Sequence, residues 1–236
     1  MVHHPSAATA ALSAPAGAIT TFTVFRFPHH RRFWAFRQMG MIGATLAGGP
    51  QFVRMLGVGR RFGGLLPDTC RYAMLATWDD AERAEATLHG DHAFARGYTA
   101  RACEATTTWM RPITSRGSWQ GVDPFRPSAP AGEGPIAVLT RAHIHPLAFA
   151  PFLAIAGRVE RQLLKAEGLE WSLPIGELPL VRPATFSVWS SAAALARFRD
   201  GCEAHRRAAG ASRSGRWFRE ELFARFAVLR TSGHRP

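Results

Sequence analysis

Hydrophobic positions along the chain recur with two periods. Runs rich in β-branched and aromatic residues predict strands over Thr21–Phe27, Tyr72–Trp78, Ala105–Ile113, Ile136–Ile144, Ala184–Trp189 and Leu222–Arg230. Helical spacing predicts helices over Phe33–Ile42, after the capping pair Asp79 and Asp80, around Asp91–Ala102, and over Leu147–Lys165 and Ser191–Arg199. The glycine-rich GVGRRFGG from Gly57 to Gly64 reads as a flexible loop, because its spacing fits neither a P-loop nor a dinucleotide fingerprint.

The order of elements repeats. LATWDDAERAEATLHG overlays FSVWSSAAALARFRDG, placing Trp78 on Trp189 and Gly90 on Gly201; Arg26 is set on Arg141, Trp34 on Phe149, and Ser115-Arg116-Gly117 on Thr231-Ser232-Gly233. A repeat of about 110 residues with strands and helices in one order is a duplicated domain and not a solenoid. The expected fold class is α+β, two tandem ferredoxin-like repeats packed as a pseudo-dimeric α/β barrel around an apolar cavity. The expected organisation is a disordered tail over 1–18, a first repeat over 19–121, a Pro/Gly/Ser-rich linker over 122–135 and a second repeat over 136–236.

Composition narrows the function classes. Of 236 residues, 47% are apolar, enough for a real core, and no apolar run is long enough to span a bilayer as a helix. With no export signal and three cysteines outside any CxxC pair, the chain is expected to be cytoplasmic with reduced thiols. The net charge is +12, and Lys165 is the only lysine. The arginines are scattered and not gathered into an aromatic-interleaved stripe, which argues against nucleic acid. They suit an acidic protein or an anionic lipid surface, so peripheral association with the inner membrane is carried as an expectation.

Several residues could carry chemistry. His205 falls on an apolar helical stripe with Leu195, Phe198, Cys202 and Ala209, and its counterpart in the first repeat is Phe94. A ring nitrogen gained in one repeat only is the pattern of an acquired ligand, although a hydrogen-bonded core histidine fits the same stripe. Cys202, one turn earlier, is the competing ligand or a packing residue. His143 and His145 alternate with Ile144 on a strand and share the side of Arg141. They form a polar wall if that side is the barrel interior, and ordinary surface otherwise. His29 and His30 read as an exposed turn, His89 and His92 as a helix terminus, and Glu220 and Glu221 as ion-pair partners of nearby arginines.

The run Trp217-Phe218-Arg219-Glu220-Glu221-Leu222-Phe223-Ala224-Arg225-Phe226, preceded by His205, resembles the C-terminal region of the spheroidene monooxygenase family. Shorter matches follow in order, including Phe25-Arg26-Phe27, Leu75–Trp78, Arg116-Gly117-Ser118-Trp119, Leu139–Ala142 and Ile175-Gly176-Glu177. The resemblance implies a heme-dependent monooxygenase that puts keto or hydroxyl oxygen into a linear carotenoid, with O2 and a ferredoxin-type electron donor. His205 is then the expected iron ligand, with Trp217, Phe218 and Arg225 in the cofactor-binding set. Arg141 is expected to stabilise charge on bound oxygen and His143 to deliver protons. A heme protein with peroxidase, dehydratase or heme-handling activity, a cofactor-free oxygenase and a non-catalytic lipophile carrier remain alternatives.

Overall fold

A computed structural model describes residues 18–46, 49–61, 66–130, 132–177, 182–202, 210 and 217–233. The first repeat runs β1 (Ile19–Arg26), α1 (Arg32–Met39), α2 (Ile42–Thr45), β2 (Phe52–Gly59), β3 (Pro67–Trp78), α3 (Ala81–His89), α4 (Ala93–Gly97) and β4 (Glu104–Gly117). The second runs β5 (Ile136–Ile144), α5 (Phe149–Leu163), β6 (Leu169–Gly176), β7 (Pro183–Trp189), α6 (Ala192–Gly201) and β8 (Phe218–Ser232). Strands pair in the order β1-β3-β2-β6-β7-β5-β8-β4 and close into a barrel, all antiparallel. Each repeat contributes a ferredoxin-like sheet in the order 4-1-3-2, as the duplication predicts.

The stretch read as a loop at Gly57–Gly64 begins inside β2, and β6 lies where the sequence shows no strand signal. Glycine and proline hide these two strands: Gly57 and Gly59 interrupt β2, and Pro174 interrupts β6. Together they make the short seam between repeats, where Gly57 pairs with Gly176 and Val58 with Ile175. The other seam, β4 with β8, is long. Gly117 and Gly233 end these strands with φ of +96° and +89°. A Cβ on Gly117 would strike the Glu221 carbonyl, and one on Gly233 the Ala105 carbonyl. Both sites need glycine for conformation and for close approach.

Every strand sends side chains into the interior, among them Phe22, Leu56, Leu75, Met110, Leu139, Leu173, Phe186 and Phe226. Phe22 stacks on Phe186 at 3.9 Å, and Trp119 and Phe125, from the connection after β4, fill the remaining space. The expected apolar cavity is therefore corrected: eight strands leave a bore just wide enough for side chains, and here they fill it.

Alternation along each strand turns the other residues toward the helices. In the first repeat that outer face is one continuous core, joining Phe25, Phe27, Met74, Trp78 and Trp109 to Ala84, Leu88, Phe94 and Tyr98. In the second it splits in two. One cluster gathers Ile136, Leu163, Trp189 and Ala194; the other gathers Ala142, Ile144 and Ala148 with Phe149, Phe152, Trp217 and Phe218.

Candidate functional site

Pairing register aligns the repeats residue by residue. Ile19 lies opposite Trp78 and Ile136 opposite Trp189; Arg26 lies opposite Glu104 and His143 opposite Glu220. Arg26 thus corresponds to His143, and Arg141 to Val24. The sequence alignment that set Arg26 on Arg141 is two residues out of register, because the shared Phe/Leu-x-Arg pattern outweighed the strand's start point.

That shift explains Arg141. It replaces an interior valine and is 1% exposed. Its guanidinium donates to Glu220 Oε2 at 2.7 Å and Glu177 Oε2 at 3.0 Å, and lies 4.9 Å from the Trp119 ring centroid. Trp119 Nε1 donates to Glu177 Oε1 at 2.8 Å, and Arg54 lies 3.4 Å from the same oxygen. Ser118 Oγ and the Gly121 N–H donate to Glu220 Oε1. Burial alone would raise the Glu220 carboxyl pKa, but hydrogen bonds from Gly121, Arg141, Ser118 and Gln120 outweigh it and bring it down to about 2. A buried arginine held by two carboxylates is a cross-tie between β5, β8 and the segment after β6. The sequence missed Glu177 and Trp119 because they lie in connections, far from Arg141 along the chain.

His143 continues on the interior face at the barrel mouth. Burial, then Arg182, Arg219 and Arg141, push its pKa below the usual imidazole value against the pull of Glu220. His145 leaves the strand, its Nδ1 accepting from the Leu147 N–H at 3.4 Å. The expected three-residue polar wall therefore reduces to Arg141 and His143. The sheet separates both from its helix-facing side; the two Nη groups of Arg141 are taken by Glu220 and Glu177, and its buried Nε has no hydrogen-bond partner.

The helix-facing side differs sharply between repeats. By register, Thr23, Phe25, Met74, Thr107 and Trp109 correspond to Thr140, Ala142, Thr185, Phe223 and Arg225. The first five are fully buried. In the second set Thr140, Thr185 and Phe223 are only half-buried, and Arg225 is exposed. Three large side chains have given way to Ala142, Thr185 and Arg225, and, apart from buried Ala142, this strip of the second sheet (the slot) is less covered than its counterpart in the first. Phe149, Phe152, Leu153 and Ile155 of α5 are also half-buried.

Thr185 Oγ1 is buried without a hydrogen bond. Arg225 donates only its Nε–H, to Thr114 Oγ1 at 3.2 Å, among the described contacts. Trp217 and Phe218 close one end: Phe218 sits edge-on to Phe152 at 6.0 Å, and the Trp217 carbonyl accepts from the His145 N–H at 2.7 Å. The structure therefore brings Trp217, Phe218 and Arg225 to one face and leaves Arg141 and His143 on the other. His205 lies outside the described residues. Its counterpart Phe94 is fully buried against Phe25 and Tyr98, at 6.1 and 5.3 Å, and the positions aligned with those two rings are Ala142 and Ala209.

The other candidates are occupied. Cys202 Sγ donates to Gln162 Oε1 at 2.7 Å. His89 packs near Trp109, and His92 Nδ1 accepts from the Phe94 N–H as the cap of α4. Glu221 pairs with Arg116 at 3.6 Å. Among the described residues no three His, Cys, Asp or Glu side chains gather into a metal site. A cleft of about 830 Å³ at the first-repeat end of the barrel is walled by the Arg26–Glu104 and Arg71–Asp68 ion pairs, unlike the half-apolar slot.

Fold and site together define a duplicated ferredoxin-like α/β-barrel protein in which the outer face of one repeat is a continuous core and that of the other is split into two clusters. Solved structures of aldoxime dehydratases share this fold: one, in complex with butyraldoxime, superposes with a TM-score of 0.61 at 12% identity, covering 89% of this chain and 79% of the other. A second superposes at 0.58. No family model matches the chain. Curated relatives are more direct. Spheroidene monooxygenase of Rhodobacter capsulatus is 30% identical over 223 residues, covering 91% of this chain and 92% of the relative. That of Rubrivivax gelatinosus is 36% identical over 207 residues, covering 86% and 78%, and that of Cereibacter sphaeroides 32% over 219, covering 90% and 67%. The chain belongs to the spheroidene monooxygenase family, and with it to the oxidoreductases.

Proposed function

We propose that the protein is a heme-dependent monooxygenase that hydroxylates or ketolates a linear carotenoid, using O2 and electrons from a ferredoxin-type donor. One observation carries the reading: the second repeat alone has exchanged Phe25, Met74 and Trp109 for Ala142, Thr185 and Arg225, and its sequence sets His205 where the first has Phe94. Volume lost from a packed core is normally costly, so a slot kept open in one of two equivalent faces is a ligand site.

The residues present fit heme. Half-buried Phe149, Phe152, Trp217 and Phe223 offer walls for a flat apolar group. Thr185 Oγ1 lacks a partner, and Arg225 keeps its Nη donors for a carboxylate. When bound, heme supplies a redox-active iron for O2 chemistry. His205 is assigned as its ligand, with a second ring nitrogen that calls for a hydrogen-bond partner. The aromatic walls exclude water and align a long apolar substrate. Arg141 and His143, on the far face of the sheet, hold the barrel rather than handle oxygen or protons. The relatives, spheroidene monooxygenases, support the substrate class, and the +12 charge suits an acidic donor protein.

No helix among the described residues is long and apolar enough to cross a membrane. We place the protein in the cytoplasm, working at the inner membrane, where a carotenoid dissolves.

The test is the visible spectrum of the purified protein and of His205→Ala, each with and without added hemin. A heme band in the parent that is lost or shifted in the variant is the expected result. A parent that stays colourless after hemin is added overturns the heme reading. A heme protein that takes up the polyene without oxygenating it, given O2 and a reductant, overturns the monooxygenase reading.

A further inference from the structure

Helix α1 is apolar on two sides, and the fold needs only one of them. Its inner face places Trp34, Ala35 and Met39 against the outer core of the first repeat. Its outer face carries Phe33, Phe36 and Arg37, continued past the helix end by Met41. These positions recur at i, i+3, i+4 and i+8, so they share one side of the helix. Phe33 is 68% exposed, Phe36 64% and Met41 55%. Two phenyl rings and a thioether standing together in water are a costly arrangement that packing of this chain does not explain.

Positive charge predominates around them, since the nearby carboxylates Asp68 and Glu104 are already paired with Arg71 and Arg26. Residues 28–45 contain Arg31, Arg32, Arg37, His29 and His30 and no aspartate or glutamate. The hairpin between β2 and β3 adds Arg60, Arg61 and exposed Leu66 at the same end of the barrel, where Arg32, His29 and Arg60 line one cleft. Among the described contacts, the Arg32 guanidinium is engaged only over the Phe33 ring, at 4.7 Å. The counterpart helix α5 carries Glu160 and shows no such aromatic pair on its exposed side.

We propose that the outer face of α1 is a membrane-docking surface: Phe33, Phe36 and Met41 insert among the acyl chains of an anionic bilayer while the surrounding arginines pair with its phosphates. Exposed aromatic side chains set among arginines combine the two contributions that hold a protein to an anionic bilayer, apolar insertion and attraction to its phosphates. A second copy of this chain is a poor occupant, because it would bring the same arginines against these. An acidic protein would satisfy the charge but does not call for two protruding phenyl rings. Docking of this kind goes beyond the oxygenase reading and needs neither the slot nor a cofactor.

The experiment is sedimentation of the full-length protein with vesicles of pure phosphatidylcholine and of phosphatidylcholine containing about one third phosphatidylglycerol. Partition is expected to favour the anionic vesicles by at least about tenfold and to fall as salt rises. Phe33→Ser/Phe36→Ser is expected to weaken that partition about tenfold or more. These rings are solvent-exposed, so the variant should melt within a few degrees of the parent, which shows that lost binding is not lost folding. Equal binding to neutral vesicles, no binding to either, or unchanged partition of the double variant overturns the proposal. So does a concentration-dependent dimer of the parent that the double variant abolishes, which would assign the face to a second copy. Heme content can be read on the same samples, so a colourless protein that still binds anionic vesicles separates the two readings.

Discussion

Ala142 occupies, in the second repeat, the register position that Phe25 holds in the first. Phe25 is fully buried and meets Phe94 and Tyr98 edge-on, at 6.1 and 5.0 Å. Ala142 keeps the strand's pairing, opposite Glu221, and gives up the ring. One backbone arrangement therefore carries a packed aromatic ring in one half and a small residue in the other.

Ala142→Phe should restore the first-repeat pattern and fill the slot. Heme uptake, followed by absorbance during hemin titration, is expected to weaken at least about tenfold, while stability changes by no more than about 1–3 kcal/mol. The converse change, Phe25→Ala, removes a ring from a closed core and should cost about 3–5 kcal/mol in a urea melt. Unchanged hemin uptake by Ala142→Phe would take this residue out of the site.

Arg141→Met should destabilise the barrel by about 3–5 kcal/mol, because Glu177 and Glu220 would be left facing each other without their shared cation. The effect should appear in chemical unfolding whether or not heme is bound. If the variant keeps full stability and loses only oxygenation, Arg141 serves the chemistry after all.

Glu220 makes stability depend on acid. Its folded pKa is about 2, against an ordinary value of 4.5. The group binds protons more readily when unfolded, so its stabilisation is fully present above pH 4.5. It is lost as pH falls through the folded value. Urea midpoints measured between pH 5 and 2 should fall less steeply for Glu220→Gln than for the parent.

Gly117→Ala and Gly233→Ala should each destabilise by more than about 1 kcal/mol, since both place a Cβ at positive φ against a carbonyl of the neighbouring strand. Gly134→Ala, where a Cβ meets open space, is the control and should leave the melting temperature unchanged. Similar losses at the two glycines would confirm that the β4–β8 seam is symmetric.

Much of this was legible from the order of residues. Local periodicity marks six of the eight strands, and the Trp78/Trp189 and Gly90/Gly201 matches reveal the duplication and, with it, the barrel. Trp217, Phe218 and Arg225 stand in one run of the sequence and lie on the helix-facing side of the second sheet. What was not legible depends on pairing. Strands β2 and β6 are broken by Gly57, Gly59 and Pro174, so only their neighbours define them. The two-residue slip that set Arg26 on Arg141 could not be seen without the cross-strand partners Trp78 and Trp189.

The sequence by itself determined that two like units share one chain, that the units are ferredoxin-like, and that a histidine stands where the first unit has Phe94. Only the tertiary structure decided which side of each strand faces the bore. A side chain's face follows from register, and register is set by partners more than a hundred residues away, as with Thr107 and Ser232 across the β4–β8 seam. That one geometric fact sends Arg141 inward to Glu177 and Glu220, and leaves Ala142, Thr185 and Arg225 outside to form the slot.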